Sequence, residues 1–554
     1  MINPLIAPTT NVRLLGDIPL DNTYTDTIKF TDASSQSAYF LGKTKLSFTN
    51  LTYQRLTPNN PQWALFLECS ADQVYDCNYI MYQNAGFSSK WFYAFIVEIL
   101  YVSENCTAIT FEIDVMQTWL FDFEIKRSFI ERMHVSDDRL GRNVMAENLD
   151  YGPRYYTRSQ ITPGMTLGTD EDNAYANDSS TAHYCILVAT AEDCEESDMI
   201  VEGGMYSGIY QGLRYLAFAG EDDCNKWLKA MNEAGKAGAI VSISMVPTLL
   251  VLEGGEISGK TVVDPRNCPL NGFTFSVEIN KSDIDGYEPK NNKLFMYPYN
   301  FLEVNTMDGN AYTFKWEDFD GYEEESHTDF VFKGNISSNP TIYCMPQGYL
   351  HIQRNNEYGM KLSNFPQCSW VNNTYANWFA QNDVSIALGT ISNAIGSATS
   401  GLGGGGGSVK ANAASAAVGA AVGVVQSGLD TFSTMASAYS KPDTVQGATN
   451  TGGINVSFGI HTFWFISKNI HWGYAQKIDD YFWKFGYRVC ATGVPPLSRP
   501  YWDYLKLQRP SVTGNVPVND MAKIKDVLAN GITFWHTTDV GNYSLNNNEG
   551  VPGH

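Results

Sequence analysis

Residues 384–440 carry only two charged side chains, Lys410 and Asp430, and are otherwise built largely from Gly, Ala, Ser, Val and Ile. Two apolar arms, 384–402 and 411–429, flank the glycine run 403–407. Each arm is about as long as a helix that crosses the hydrocarbon core of a bilayer, roughly 20 residues. Ser415, Gly419 and Gly423 recur every fourth residue, the small-residue spacing at which helices approach closely in lipid. Three readings stand. A flexible linker accounts for the Gly and Ser content, but leaves a row of Ile, Leu and Val facing water. A helix pair in the protein's own core gives the same pattern. The third reading is a segment that meets a membrane or lines an oligomeric channel. Its high Gly and Ala content makes a weak permanent anchor and favours a conditional role. The candidate positions for that role are Ile386, Leu388, Ile391, Ile395, Gly396, Leu402, Gly405, Val418, Gly419, Val422, Gly423, Val424, Val425 and Leu429.

A chain of 554 residues has room for about three or four domains. Aromatic residues make up 13% of it and charged residues only 17%, a balance that suits β-sheets and extensive interfaces more than long solvated helices. The net charge of −22 argues against a basic groove that grips nucleic acid. It suits simple solubility, and it equally suits a wall that DNA slides past, because like charge keeps phosphates off. The 10 cysteines show no CxxC pair and no regular spacing with His, so neither a zinc knuckle nor a dense disulfide scaffold is expected. The first residues lack a basic stretch followed by an apolar core, so synthesis and folding in a cytoplasm are expected.

Along the chain, the first 130 or so residues read as β. Residues 91–102 are aromatic and β-branched, 109–115 alternate apolar with polar, and 121–125 alternate again, as in an antiparallel sheet or barrel wall. Residues 136–180 shift to Asn, Asp, Gly and Ser and read as linker. The middle is mixed α/β, with strands expected at 185–190 and 240–252 and a helix at 225–237. Strand patterning returns at 273–301, 312–344 and 454–466. Tyr474, Ile478, Tyr481, Phe482 and Phe485 fall at helical spacing with Gly486 placed to end the helix. A second helix is expected over 520–528, with Met521, Ile524 and Val527 inward and Gly531 beyond its end.

Catalytic motifs are absent from this pattern. There is no Walker loop, no HExxH and no GxSxG, and the glycine run 403–407 is not followed by GK[ST]. His461, His471 and His536 sit in aromatic surroundings that suit packing. Glu98, Glu112 and Asp114 are possible carboxylates for wall hydrolysis, which needs a pair about 5 to 10 Å apart, but exposed strand carboxylates are commoner. The acidic runs 192–198 and 317–325 read as solvated faces, since Asp318-Phe319-Asp320-Gly321 does not complete a calcium loop. No catalytic residue, metal ligand or cofactor is assigned.

Several strings near the two ends carry a resemblance. They are Asn11-Val12-Arg13-Leu14-Leu15-Gly16-Asp17-Ile18-Pro19-Leu20, Tyr79-Ile80-Met81-Tyr82-Gln83-Asn84-Ala85, Lys90-Trp91-Phe92-Tyr93-Ala94-Phe95, and Phe111-Glu112-Ile113-Asp114-Val115-Met116-Gln117-Thr118-Trp119. Towards the C-terminus stand Asn530-Gly531-Ile532-Thr533-Phe534-Trp535-His536-Thr537 and Gly541-Asn542-Tyr543-Ser544. In this order they resemble the tail knob, or distal tail tube, proteins of phi29-like short-tailed bacteriophages.

The resemblance implies a structural virion protein of the distal tail, made in the host cytoplasm, and no enzyme. Its implied fold is mainly β with α/β insertions. An antiparallel β-barrel or sheet domain forms a tube in a ring-forming oligomer, with a long apolar exit loop. On this view residues 1–135 are the N-terminal part of the tube domain and 136–370 a middle region of outer subdomains. Residues 384–440 are the exit or membrane loop, and 454–554 complete the tube domain. The implied partners are other copies in a homohexamer, tail components above it, the host membrane during entry, and phage DNA passing through the lumen without specific binding. The loop would plug the exit before infection and then penetrate the membrane. A cell-wall-degrading tail enzyme and a pore-forming toxin outside any virion stand as alternatives.

Overall fold

Strands dominate the fold, and the helices are short additions to them. The computed structural model describes residues 9–51, 65–84, 90–163, 184–194, 205–206, 209–210, 212–234, 236–252, 257, 259–306, 309–365, 367–368, 370–371, 445–446 and 462–554. The chain divides into two units: Met1–Gly152 with Gly286–Leu294 and His471–His554, and Pro153–Asp285 with Phe295–Ile470.

In the first unit, six antiparallel strands run in the order Thr44–Leu51, Thr10–Leu15, Tyr79–Gln83, Phe92–Ser103, Cys106–Ile113 and Leu65–Leu67. Alternation in Thr10–Leu15 puts Val12 and Leu14 inward. The strand over Cys106–Ile113 stops two residues short of the alternating pattern that extends to Val115. The reason is local: the Asp114 carboxylate accepts from the backbone N–H groups of Met116 (3.0 Å) and Gln117 (3.1 Å), capping the short helix Val115–Thr118.

A second sheet interleaves the two ends of the chain in the order Asp26–Ile28, Ile532–Trp535, Trp502–Gln508, Ser128–Met133 and Tyr487–Gly493. Only the outermost Asp26–Ile28 pairing is parallel. The helix Trp472–Phe485 turns Ala475, Ile478 and Phe482 inward and ends at Gly486. The helix Val518–Asn530 buries Ile524, Val527 and Leu528, and Gly531 follows it. One hydrophobic cluster joins these parts, from Val12, Phe40 and Tyr79 to Leu505, Ile524 and Phe534.

The second unit holds three larger sheets. One orders Tyr155–Ile161, Trp464–Ile470, Asn300–Asn305 and Ala311–Phe314; another orders Thr274–Glu278, His327–Asn335, Thr341–Pro346 and Met360–Leu362. The third orders Lys260–Val263, Arg214–Phe218, Tyr184–Thr190, Ile240–Pro247 and Gln367–Cys368. Its helix spans Glu221–Glu233, about one turn earlier than the 225–237 expected. Cys224, Trp227, Leu228 and Met231 recur at helical spacing and are all buried in that sheet's core. Glu221, Asp222 and Asp223 then fall in the first turn, where negative charge suits the helix dipole.

Candidate functional site

The apolar segment 384–440, with every candidate position from Ile386 to Leu429, lies outside the described residues. So does His461. No helix among the described residues is long and apolar enough to cross a membrane. What the described residues supply is a β wall with an unfinished edge.

That edge belongs to the strand Phe92–Ser103. Its first part pairs with Tyr79–Gln83 only from Phe92 to Phe95, whereas its other side pairs with Cys106–Ile113 all the way to Ser103. From about Val97 onward, no strand among the described residues covers the first side. Burial follows the same division, since Phe92 to Phe95 are buried and Val97 (58% exposed), Leu100, Tyr101 (65%) and Val102 are not. Open backbone donors and acceptors beside exposed apolar side chains form a template for another strand or surface.

The base of this hairpin is held rigidly. Tyr93 N–H donates to Thr118 Oγ1 (3.0 Å), and that hydroxyl donates back to the Tyr93 carbonyl (3.1 Å). Gln117 Nε2 donates to the Ile28 carbonyl (2.7 Å), and Trp119 Nε1 to Asp520 (2.8 Å) on the C-terminal helix. Lys523 of the same helix pairs with Glu112. Asp114 is fully enclosed and accepts from the Tyr79 hydroxyl at 2.8 Å. Burial pushes its carboxyl up to about 6, although the Gln117, Tyr79 and Met116 hydrogen bonds pull it down.

In the second sheet, burial and then the Arg499 guanidinium push the His134 imidazole down to about 4. His134 Nδ1 accepts from Tyr504 N–H at 2.7 Å, which suits the neutral ring. These two groups act oppositely on stability. Asp114 takes a proton more readily folded than unfolded, so its penalty is present above its folded pKa and disappears as pH falls towards the ordinary carboxylate range. His134 takes a proton less readily folded, so its contribution is complete near neutrality and is lost as pH falls through the ordinary imidazole range. Asp114→Asn removes the first effect alone. The native chain should therefore gain about 2 kcal/mol over the variant between roughly pH 7 and pH 4. Urea unfolding at both pH values measures this, and a pH-independent difference overturns it.

Around the second sheet, three carboxylates hold the segment Gly286–Leu294. Asp479 accepts from the Tyr287 hydroxyl (2.8 Å), Lys290 N–H (2.7 Å), Asn291 N–H (3.1 Å) and Asn291 Nδ2 (2.7 Å). Asp138 accepts from the Tyr487 hydroxyl (2.8 Å) and Asn292 N–H (3.2 Å), and bonds His554 Nε2 (2.6 Å). Glu147 meets Lys293 Nζ (2.8 Å), Arg488 N–H (2.8 Å) and Arg132. Burial pushes the Asp479 carboxyl up and the Lys293 ammonium down. Sequence reasoning missed this set. Lys290-Asn291-Asn292-Lys293 falls within the stretch 273–301 expected as strand but lies between the strands Thr274–Glu278 and Asn300–Asn305, and nothing in its spacing points to carboxylates so distant along the chain.

The carboxylates considered for hydrolysis have other surroundings. Glu98 is exposed, Glu112 pairs with Lys523, and Asp114 is the buried cap. His471 caps the Trp472–Phe485 helix, and His536 Nε2 lies 3.0 Å from Asp503. In the acidic run near 317, burial pushes the Glu317 carboxyl up to about 7, and Tyr297 N–H donates to it at 3.1 Å. Asp320 pairs with His351. Among the described residues no group of three or more His, Cys, Asp or Glu is placed to hold a metal ion.

Residues 266–548 match the family described as the C-terminal domain of the Bacillus phage phi29 tail knob protein gp9, and residues 8–124 match the caudoviral major tail protein N-terminus. Over 97% of the chain and 98% of each relative, identity is 26% to tail knob protein gp9 of Bacillus phage phi29 and 27% to that of Bacillus phage PZA. The fold is similar to the structure of the bacteriophage C1 tail knob protein, gp12, with a TM-score of 0.56 and 11% identity over 96% of this chain and 98% of that one. The chain thus belongs to the family of the phi29 tail knob protein gp9, as a structural, non-enzymatic component of the distal tail of a phage virion.

Proposed function

We propose that the chain assembles with itself into a homohexamer that walls the distal tail tube, and that the phage genome leaves through this wall during ejection. The tube-forming part comprises residues 1–135 together with 454–554, and other tail components join it from above. The observation that carries this reading is the edge beyond Val97, where no strand among the described residues pairs with the backbone and exposed apolar side chains lie alongside. In a ring each such edge meets a neighbouring copy, so the exposed surface is covered without a foreign partner. The net charge of −22 supports passage of DNA without specific binding.

Residues 384–440 act in this reading as the exit plug and then as the segment that penetrates the host membrane. Their support is compositional: two apolar arms around a glycine run, with two charges in the whole stretch. Crowded in a lumen the arms are shielded, and once released they favour lipid over water. Electron microscopy of the purified chain is expected to show six-fold rings or tubes, and particles without rotational symmetry overturn the conduit reading. The chain is also expected to release dye from liposomes, and deletion of 384–440 to abolish the release. Undiminished leakage from the deletion variant would refute the membrane role.

A further inference from the structure

The last residues of the chain close over the segment Gly286–Leu294. This segment is a strap: it belongs to the first unit, whereas Asp285 before it and Phe295 after it belong to the second. Polar groups hold its middle, with Asp479 accepting from Lys290 N–H and Asn291 N–H and Asp138 accepting from Asn292 N–H. Such bonds weaken steeply once distance and angle leave the optimum, so a strap held this way lets go within a small displacement.

A second set of contacts reaches the strap from the tail of the chain. Asn548 Nδ2 donates to the Lys290 carbonyl (2.6 Å), Asn292 Nδ2 donates to the Gly553 carbonyl (2.7 Å), and Asp138 N–H donates to the Pro552 carbonyl (3.0 Å). The orientation of Asn548 is fixed, because the Arg499 guanidinium has only donors and bonds the Asn548 side-chain oxygen. Its amide nitrogen therefore faces both Lys290 and His554 Nδ1 (3.3 Å). His554 Nδ1 is then the acceptor, and Nε2 carries the proton donated to Asp138 (2.6 Å). Strap and tail thus share one carboxylate oxygen, since Asn292 N–H and His554 both bond Asp138 Oδ2.

The two layers differ in how firmly they are seated. In the strap Asn291, Lys293 and Leu294 are almost fully buried, whereas in 546–554 only Asn547, Asn548 and Val551 are buried. Little apolar surface secures the tail, the condition under which a segment opens locally at low cost. Its seat also requires a glycine: Gly553 has φ 102°, and a Cβ there would lie 2.7 Å from the Arg139 nitrogen and 2.8 Å from the Asp138 carbonyl carbon. Both are backbone atoms, so neither can swing aside. We infer that residues 548–554 are a latch over the strap, which opens first and whose opening releases Gly286–Leu294. With the latch open, the Lys290 carbonyl and the Asn292 side chain lose these partners, and Asp138 keeps only the Tyr487 hydroxyl and Asn292 N–H of the donors to that oxygen. The latch thereby sets how readily one passage of the chain between the two units comes free. It is independent of the self-assembly proposed above, because every group in it belongs to one chain.

Hydrogen–deuterium exchange read by mass spectrometry on the full chain tests it, with Gly553→Ala to unseat the tail and His554→Ala to remove only the imidazole. Peptides covering Gly286–Leu294 are expected to exchange about tenfold faster in Gly553→Ala than in the native chain, and by a smaller factor in His554→Ala. Peptides covering the buried strand Ile532–Trp535 are expected to exchange at the native rate in both variants. Native exchange of the strap in both variants overturns the latch, because the strap is then held without the tail. An equal acceleration in Ile532–Trp535 overturns it as well, since the tail would then support the whole unit rather than the strap.

Discussion

Glu147→Gln is expected to lower the stability of the unit that contains it by about 3–5 kcal/mol. The Glu147 side chain is 1% exposed and the Lys293 side chain 4%, with 2.8 Å between carboxylate oxygen and ammonium nitrogen. Arg132 and the Arg488 backbone N–H complete the carboxylate's surroundings. Replacing it by a neutral amide of the same shape keeps an acceptor but removes the charge that offsets two cations. Burial already pushes the Lys293 ammonium down, and without Glu147 that penalty is uncompensated. The large cost therefore comes from the charge left behind, since an intact buried pair is often worth little against an apolar isostere. Lys293→Met added to Glu147→Gln should recover part of the loss. Urea unfolding followed by tryptophan fluorescence reports it, because Trp502 and Trp535 are buried in the same unit. A double variant less stable than Glu147→Gln alone would sink this account.

Gly486→Ala should be comparably severe for a different reason. Gly486 ends the Trp472–Phe485 helix at φ 63° and ψ −156°, a backbone region that essentially only glycine occupies. The backbone alone costs an alanine about 1–3 kcal/mol there. A Cβ would in addition overlap the Met133 carbonyl and the His134 nitrogen, which are backbone atoms of the neighbouring strand. Relief requires that Tyr487 shift from its register opposite Met133, and Arg132 would lose its bond to the Gly486 carbonyl (2.6 Å). The expected loss exceeds about 3 kcal/mol once that overlap is included. Gly42→Ala is the control, since its new methyl meets nothing within 4 Å. Equal unfolding midpoints for the two variants would contradict the conformational argument.

The role of Gly486 as a stop signal is legible in the sequence, because it follows a helical apolar pattern directly. Only the fold shows that its missing side chain also lets Met133 approach. The same division recurs at Asp114. Its place in an alternating run suggests a strand residue, but its carboxylate caps the next helix, and short carboxylates compete with strand pairing in just this way. In the helix Glu221–Glu233 the apolar spacing is visible in the sequence and only the ends move, because the acidic residues 221–223 suit the first turn better than the Asn and Lys that follow.

Local periodicity, aromatic strand composition and glycine stops determined most element types, the inward faces of the two C-terminal helices, and the outlying character of 384–440, but not the helix Ala33–Gly42 within the expected β stretch or the strand Tyr155–Ile161 within the expected linker 136–180. Those features depend on neighbours a few residues apart. Pairing does not. Glu131 meets Lys506 across 375 residues, and the Gly286–Leu294 segment meets Asp138, Glu147 and Asp479 from opposite directions along the chain. Alternation decides which face of a strand is buried, but hydrogen-bonding partners at such separation are chosen by the packing of the whole unit. For the same reason only the tertiary structure exposed the hairpin edge that no strand among the described residues covers.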